Sequence, residues 1–238
     1  MCTVTYISLG ENFILNSNRD EAIERANAIP FELHNVHGKE IYFPQDPQAK
    51  GTWIAHDPNG FTLCLLNGAK EKHLPQPKYR MSRGLMLLDF YQFDTPQDFT
   101  TGYIFTGIEP FTLIITGKIK GVQCLFELVW DENEAVLSLL NHLENYIWSS
   151  VTLYPFAIRE MRREKFIQWS LEHRFPTQEV CIDFHSFEGD SNDKTNILFE
   201  EGNKKTVSIS SIMVTESKTN ICYKDLVLAK SQIFSLNN

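Results

Sequence analysis

The order of periodicities along the chain constrains its fold more than any other feature. Two-residue alternation dominates both ends, and helical spacing is confined to the middle. Residues 2–8 (Cys-Thr-Val-Thr-Tyr-Ile-Ser) alternate and are rich in β-branched types, which is a strand signal. Residues 13–18 follow as a hairpin partner across Gly10-Glu11-Asn12. Residues 52–55 and 61–66 read as strands joined by the turn chemistry of Asp57-Pro58-Asn59-Gly60. Residues 111–116 with 122–130, and 205–214 with 220–226, read as two later pairs. Helices are expected over residues 82–93, over 133–146 after Asp131, and over 155–173. In the last, Ile158, Met161, Lys165 and Trp169 recur at helical spacing behind a first-turn Pro155. Strands, then helices, then strands suit an α+β layered domain with mostly antiparallel sheets. We expect a single domain over residues 1–238, with the polar stretch 186–204 as an exposed loop.

Composition removes several function classes. The net charge is −8, which argues against nucleic acid as a partner, and no phosphate-binding glycine motif is present. The densest basic run, residues 159–165, interleaves Glu160 and Glu164 and reads as a solvated helix face. The five cysteines are scattered: Cys2, Cys64, Cys124, Cys181 and Cys222. They form no CxxC pair, and the histidines show no ligand spacing. Neither a metal site nor a cofactor is expected, and the cysteine pattern suits a reducing compartment. Cys64 and Cys124 sit in apolar surroundings and read as core. The N-terminus lacks the basic-then-apolar order of a secretory signal, and no apolar run approaches the ~20 residues of a membrane span. A cytoplasmic protein without an integral membrane segment is expected.

Two places carry chemistry. Removal of the initiator methionine would leave Cys2 with a free α-amine. Such an amine titrates at about 7.7–8.0, so it can take a proton near neutrality and activate the thiol on its own residue. Many chains begin Met-Cys with no such role. The second place is Asn18-Arg19-Asp20-Glu21, at the end of the second strand. A hairpin returns this cluster to the start of the first strand. There an arginine would favour a thiolate and a carboxylate could hold the amine. Successive strand residues face opposite sides, so Arg19 and Asp20 cannot both point at Cys2 unless the strand has ended. The competing reading is a turn into a helix over residues 21–25, with Asp20 and Glu21 in its first turn.

Met1-Cys2-Thr3 together with Asn18-Arg19-Asp20-Glu21 resembles the NRDE family, also called the transport and Golgi organisation protein 2 family, whose name spells that run. Further segments resemble the family in order: Gly51-Thr52-Trp53-Ile54, Leu66-Asn67, Ser82-Arg83-Gly84, and Trp148-Ser149-Ser150 with Leu153. The resemblance spans about residues 1–170. It implies a four-layer αββα fold of two antiparallel sheets, as in N-terminal-nucleophile hydrolases such as penicillin V acylase and bile salt hydrolase. It also implies attack by an N-terminal cysteine on a C–N amide bond of a small molecule.

On that resemblance Cys2, Arg19, Asp20 and Asn67 are the expected catalytic set. Asn67 would be an oxyanion donor; its plain alternative is a turn residue before Gly68. Asn18, Glu21, Trp53, Ser149 and Ser150 are expected to line the site, with Ser150 near where the acylases carry a second asparagine. The sequence departs from the pattern in a late strand. Ser208-Ile209-Ser210-Ser211 lacks the arginine usual there, and Arg19 and Asp20 are adjacent where the acylases separate them. The alternative to this hydrolase reading is a non-catalytic carrier or trafficking factor for an apolar ligand such as haem or an acyl lipid. A free N-terminal cysteine, needed by the hydrolase and not by the carrier, separates the two.

Overall fold

The computed structural model describes residues 3–188 and 195–237. They form two compact units, one from the two ends of the chain (to Arg25 and from Leu143) and one from Ala26–His142. The first unit opens with β1 (Thr3–Leu9) and β2 (Asn12–Ala22), the hairpin expected from the alternation. Leu9 faces Asn12 and Thr3 faces Asn18. The two-residue turn uses Gly10 at φ +77°, the left-handed backbone that matches strand twist in a tight hairpin.

The second unit contains β3 (Ile29–Val36), β4 (Lys39–Gln45), β5 (Ile54–His56) and β6 (Phe61–Asn67). Helix α1 (Arg83–Asp89) runs into a 3-10 turn at Phe90–Gln92, and α2 (Pro96–Gly102) follows. Strands β7 (Phe111–Ile119), β8 (Val122–Trp130) and β9 (Ala135–Leu140) complete it. The sheet is antiparallel and runs in chain order from β3 to β9. Its two glycine-marked segments meet. Thr52 N–H donates to Gly84 O at 3.2 Å, and a Cβ on Gly84 would stand 2.6 Å from Thr52 O. Gly51-Thr52-Trp53 and Ser82-Arg83-Gly84 are therefore the two sides of one backbone-to-backbone contact. Ser82 caps α1 by accepting from Leu85 N–H.

The chain returns to the first unit through β10 (Tyr146–Ser149), α3 (Phe156–Glu172) and α4 (Gln178–His185). Then come the short β11 (Glu200–Glu201), β12 (Lys204–Val214), β13 (Lys218–Asp225) and β14 (Lys230–Asn237). This antiparallel sheet is ordered β10-β1-β2-β12-β13-β14, with β11 beside β12. Opposite β2, strand β12 carries a bulge: Thr206 pairs with Asp20, but Ser208, not Val207, pairs with Arg19. Helices α3 and α4 cover one face of the sheet. Ile7, Ile14, Phe166 and Cys181 pack there, joined by Trp169, Phe184 and Met213. Burying each of the large apolar side chains is worth roughly 1.5–3 kcal/mol.

Several expectations change. Residues 133–146 are not a helix. They hold β9, paired to β8, and the start of β10, paired to β1. Residues 21–25 do not start a helix either, because β12 pairs with β2 as far as Ala22. On α3 the buried side chains are Arg162 and Phe166; of the expected face Trp169 packs on the core and Ile158 is half-buried, while Met161 and Lys165 are exposed. The basic run is accordingly not a wholly solvated face. The expected exposed loop 186–204 falls partly outside the described residues; within them Thr195 and Ile197 are buried. Cys64 is core, but Cys124 is only half-buried. Among the described residues no helix is long and apolar enough to cross a membrane.

Candidate functional site

Strand alternation sorts the Asn18-Arg19-Asp20-Glu21 run onto two faces, because β2 does not end within it. Asn18 and Asp20 turn toward the helices. Arg19 and Glu21 take the other face. All but Glu21 are buried, with Asn18 fully so.

On the helix side the polar groups form a chain whose direction can be assigned. His185 of α4 is fully buried, and desolvation, helped by the Arg162 charge, pushes its pKa down to about 3. It is therefore neutral and carries one N–H. The Asn18 amide nitrogen donates to His185 O at 3.1 Å and Ile197 O at 3.3 Å, which fixes Oδ1 as the acceptor. His185 Nδ1 lies 2.7 Å from that Oδ1 and must carry the proton. Nε2 is then an acceptor for the Thr5 hydroxyl at 2.7 Å, and Thr5 Oγ1 in turn accepts from the Asn16 amide at 3.1 Å. Every link from Asn16 to Asn18 has a donor and an acceptor, which lets a histidine and two asparagines be buried together, although Asn16 Oδ1 has no partner among the described residues.

Asp20 is held by two hydroxyls. Thr206 donates to Oδ1 at 2.6 Å and Tyr154 to Oδ2 at 3.4 Å. The Tyr154 ring lies under the guanidinium of Arg162, 4.1 Å from the ring centroid. Arg162, with no exposed surface, donates to Ser149 Oγ at 3.1 Å and to the carbonyls of Asn196 and Ile197 at 2.9 and 3.1 Å.

On the opposite face Arg19 Nη2 lies 3.4 Å from Glu21 Oε2, and Arg25 approaches the same oxygen at 3.5 Å. The pairing of β2 with β12 sets Ser208 beside Arg19 and Ser210 beside Ser17. Tyr223 follows across from Ser210. Burial raises the Tyr223 phenol pKa, while Ser208 and the charge of Arg19 pull it back, so these groups lie within electrostatic reach of one another. The Ser17 and Ser210 hydroxyls are buried and have no hydrogen-bond partner among the described residues.

Of the residues expected from the sequence, Asn18, Arg19, Asp20, Glu21, Ser149 and Ser150 gather in the first unit. Ser149 is opposite Thr3 and is bonded by Arg162; Ser150 bonds Thr152 at 2.8 Å and accepts from Tyr154 N–H. Cys2 lies outside the described residues. Trp53 and Asn67 belong to the second unit, where Trp53 is buried and accepts from Leu65 N–H, and Asn67 ends β6 opposite Phe111. Sequence reasoning missed Arg162, His185, Tyr154 and Thr206. The spacing Arg162–Phe166–Trp169 was a usable signal for the first. Nothing local marks His185. Among the described residues no three or more His, Cys, Asp or Glu side chains gather as a metal site.

A model of the family described as Transport and Golgi organisation 2 matches residues 1–223. A search of curated proteins finds no match. Solved structures do match. An N-acylethanolamine-hydrolyzing acid amidase ortholog from Caenorhabditis elegans aligns with TM-score 0.58 at 13% identity, over 89% of this chain and 92% of that one. A variant of conjugated bile acid hydrolase from Clostridium perfringens aligns with TM-score 0.56 at 11% identity, over 100% and 92%. Penicillin V acylase from Agrobacterium tumefaciens aligns with TM-score 0.54 at 9% identity, over 100% and 86%. At such identities the likeness shows the fold, which is that of the N-terminal-nucleophile hydrolases.

Proposed function

We propose that this chain, which belongs to the Transport and Golgi organisation 2 family, hydrolyses a C–N amide bond of a small molecule with Cys2 as its N-terminal nucleophile. The observation that carries this reading is the register of the first hairpin. Thr3 pairs with Asn18, so the residue before Thr3 and the residue after Asn18 are Cys2 and Arg19. A buried guanidinium next to a thiol favours its anion. Val4 and Tyr6 share a face with Ser17 and Arg19, the face we propose for the thiol. The base of the proposed chemistry is the free α-amine of the nucleophile's own residue. Asp20, on the other face, is the carboxylate proposed to hold it. The solved neighbours are named as an N-acylethanolamine-hydrolyzing acid amidase, a conjugated bile acid hydrolase and a penicillin V acylase, and their fold is shared.

In this mechanism the amine takes the thiol proton and the thiolate attacks the amide carbonyl. The tetrahedral intermediate collapses, the amine leaving group departs with a proton, and a thioester remains on Cys2. Water, deprotonated by the same α-amine, then releases the acid. The test is intact mass of the native protein followed by titration with a thiol-directed acylating probe. Met1 is expected to be absent and one adduct to map to Cys2. Cys2→Ser should lose turnover and keep ligand binding. Retained Met1 with no amide substrate turned over, or faster labelling of Cys64 or Cys222 than of Cys2, would replace this reading with that of a carrier.

A further inference from the structure

Arg162 is a buried cation that the proposed chemistry does not use. Its guanidinium spends no donor on solvent. One side donates to Ser149, on the strand paired to the first residues of β1, and the other to the main chain of Asn196 and Ile197. Its flat face covers the Tyr154 ring at 4.1 Å, a stacking geometry that an arginine can adopt and a lysine cannot reproduce. The Tyr154 hydroxyl, with that ring fixed, reaches Asp20 Oδ2. Thr206 occupies the other carboxylate oxygen. His185, a further titratable group of this cluster, is neutral and bonded to Asn18 and Thr5.

We propose that Arg162 is a positioning residue that sets the orientation of the Asp20 carboxylate through the stacked ring and hydroxyl of Tyr154. It acts on Asp20 without touching it. A cation over the ring draws electron density from the phenol, making its hydroxyl a better donor. The three main-chain and side-chain anchors of the guanidinium stop the ring from rotating away. The same anchors tie β10 and the segment after α4 to the carboxylate, so the strand beside Thr3 and the Asp20 oxygens are fixed by one group. The consequence for catalysis rests on the amide-hydrolase reading above; the geometry around Asp20 does not.

The test follows the Asp20 carboxyl carbon by NMR, assigned with Asp20→Asn, in the full chain. Tyr154→Phe keeps the ring under the guanidinium and removes the hydroxyl; Arg162→Lys keeps a charge and removes the stack. Each is expected to move the Asp20 signal. In a double-mutant cycle Arg162→Lys should have little further effect once Tyr154 is phenylalanine, because its route to Asp20 is gone. If Arg162→Lys leaves the signal in place, or shifts it equally in both backgrounds, the proposal is overturned. In turnover, Tyr154→Phe should lower kcat by about tenfold, the scale of one hydrogen bond to a charged group, with KM within about twofold. A wild-type chain with no turnover would remove the hydrolase reading, and the carbon signal would still decide the role of Arg162.

Discussion

Gly84→Ala is the most direct probe of how the second unit is held together. Two effects oppose each other. Gly84 lies in α1, where alanine is favoured over glycine by up to ~1 kcal/mol. Against this, its Cβ would stand 2.6 Å from Thr52 O and 2.9 Å from Thr52 N, inside any ordinary contact and against main chain that cannot swing aside. Overpacking of that kind costs about 1–3 kcal/mol. Separating the segments also weakens the Thr52 N–H to Gly84 O bond, for about 1 kcal/mol more. Because the opposing atoms are backbone, the upper part of the range applies, and the net loss is about 2–3 kcal/mol. At roughly 2–4 °C per kcal/mol for a chain of this size, the melting temperature should fall by about 4–12 °C. Gly51→Ala meets the same contact from the loop side, with its Cβ 2.5 Å from Gly84 C, and gains nothing from helix propensity, so it should lose more. Thermal and urea melts of the two variants measure this. A Gly84→Ala chain that melts at or above the wild type would mean that the helix term wins and the contact does not constrain the fold.

Two further outcomes follow from the buried polar groups. His185 and His56 have pKa values pushed down to about 3 and about 4, chiefly by burial, so both stay neutral in the fold while the unfolded chain protonates them below about 6.5. Their stabilising contribution is complete above that value and is lost as pH falls, by up to ~1.4 kcal/mol per pH unit for each histidine, down to about pH 4 for His56 and about pH 3 for His185; urea midpoints between pH 7 and 4 check it, and a flat profile would contradict the burial of both. On β12, Ser210→Ala removes a hydroxyl with no partner and should leave stability unchanged or slightly higher, whereas Thr206→Ala removes one that donates to Asp20 and accepts from Phe199 N–H and should cost roughly 1.5–3 kcal/mol; equal losses in denaturant midpoint would refute the distinction.

The parts of this fold legible in the sequence were those where local pattern and tertiary demand coincide. The β1–β2 hairpin alternates because its two buried faces differ: Thr5, Asn16 and Asn18 bond into the His185 network, whereas Val4, Tyr6 and Leu15 bury apolar side chains on the other face, and its Gly10 turn marks the reversal. Residues 133–146 show the opposite case. Asp131 Oδ1 accepts from Asn133 and Glu134 N–H, the bonding of a helix N-cap, but here it closes a hairpin turn with Glu132 at φ +81°. The two uses are identical over four residues. What decides between them is the open edge of β8, along which residues 135–140 pair as β9, from Trp130 with Ala135 to Leu125 with Leu140. The Asn18–Glu21 cluster was visible as a polar run, and alternation foretold that Arg19 and Asp20 would part. Its supports were not visible. Arg162 sits in a charged stretch that reads as surface, and the partners that take the place of its water are Tyr154, Ser149 and the carbonyls of residues 196 and 197, which only folding brings together.

The bulge in β12 bears on how this strand is compared with its relatives. Val207 is the extra residue, and its carbonyl is used outside the ladder, accepting from Leu226 N–H at 2.9 Å. Counting forward from Lys204 therefore gives one phase and counting back from Val214 gives the other. A relative lacking this residue would place its strand out of step by one, and a position-by-position alignment drawn through the bulge would exchange inward and outward residues for the seven that follow. Ser208 and Ser210 are therefore compared with relatives through superposed strands anchored on β13, since a gap placed one residue late would trade a buried hydroxyl for an isoleucine and write the substitution onto the wrong side of the sheet.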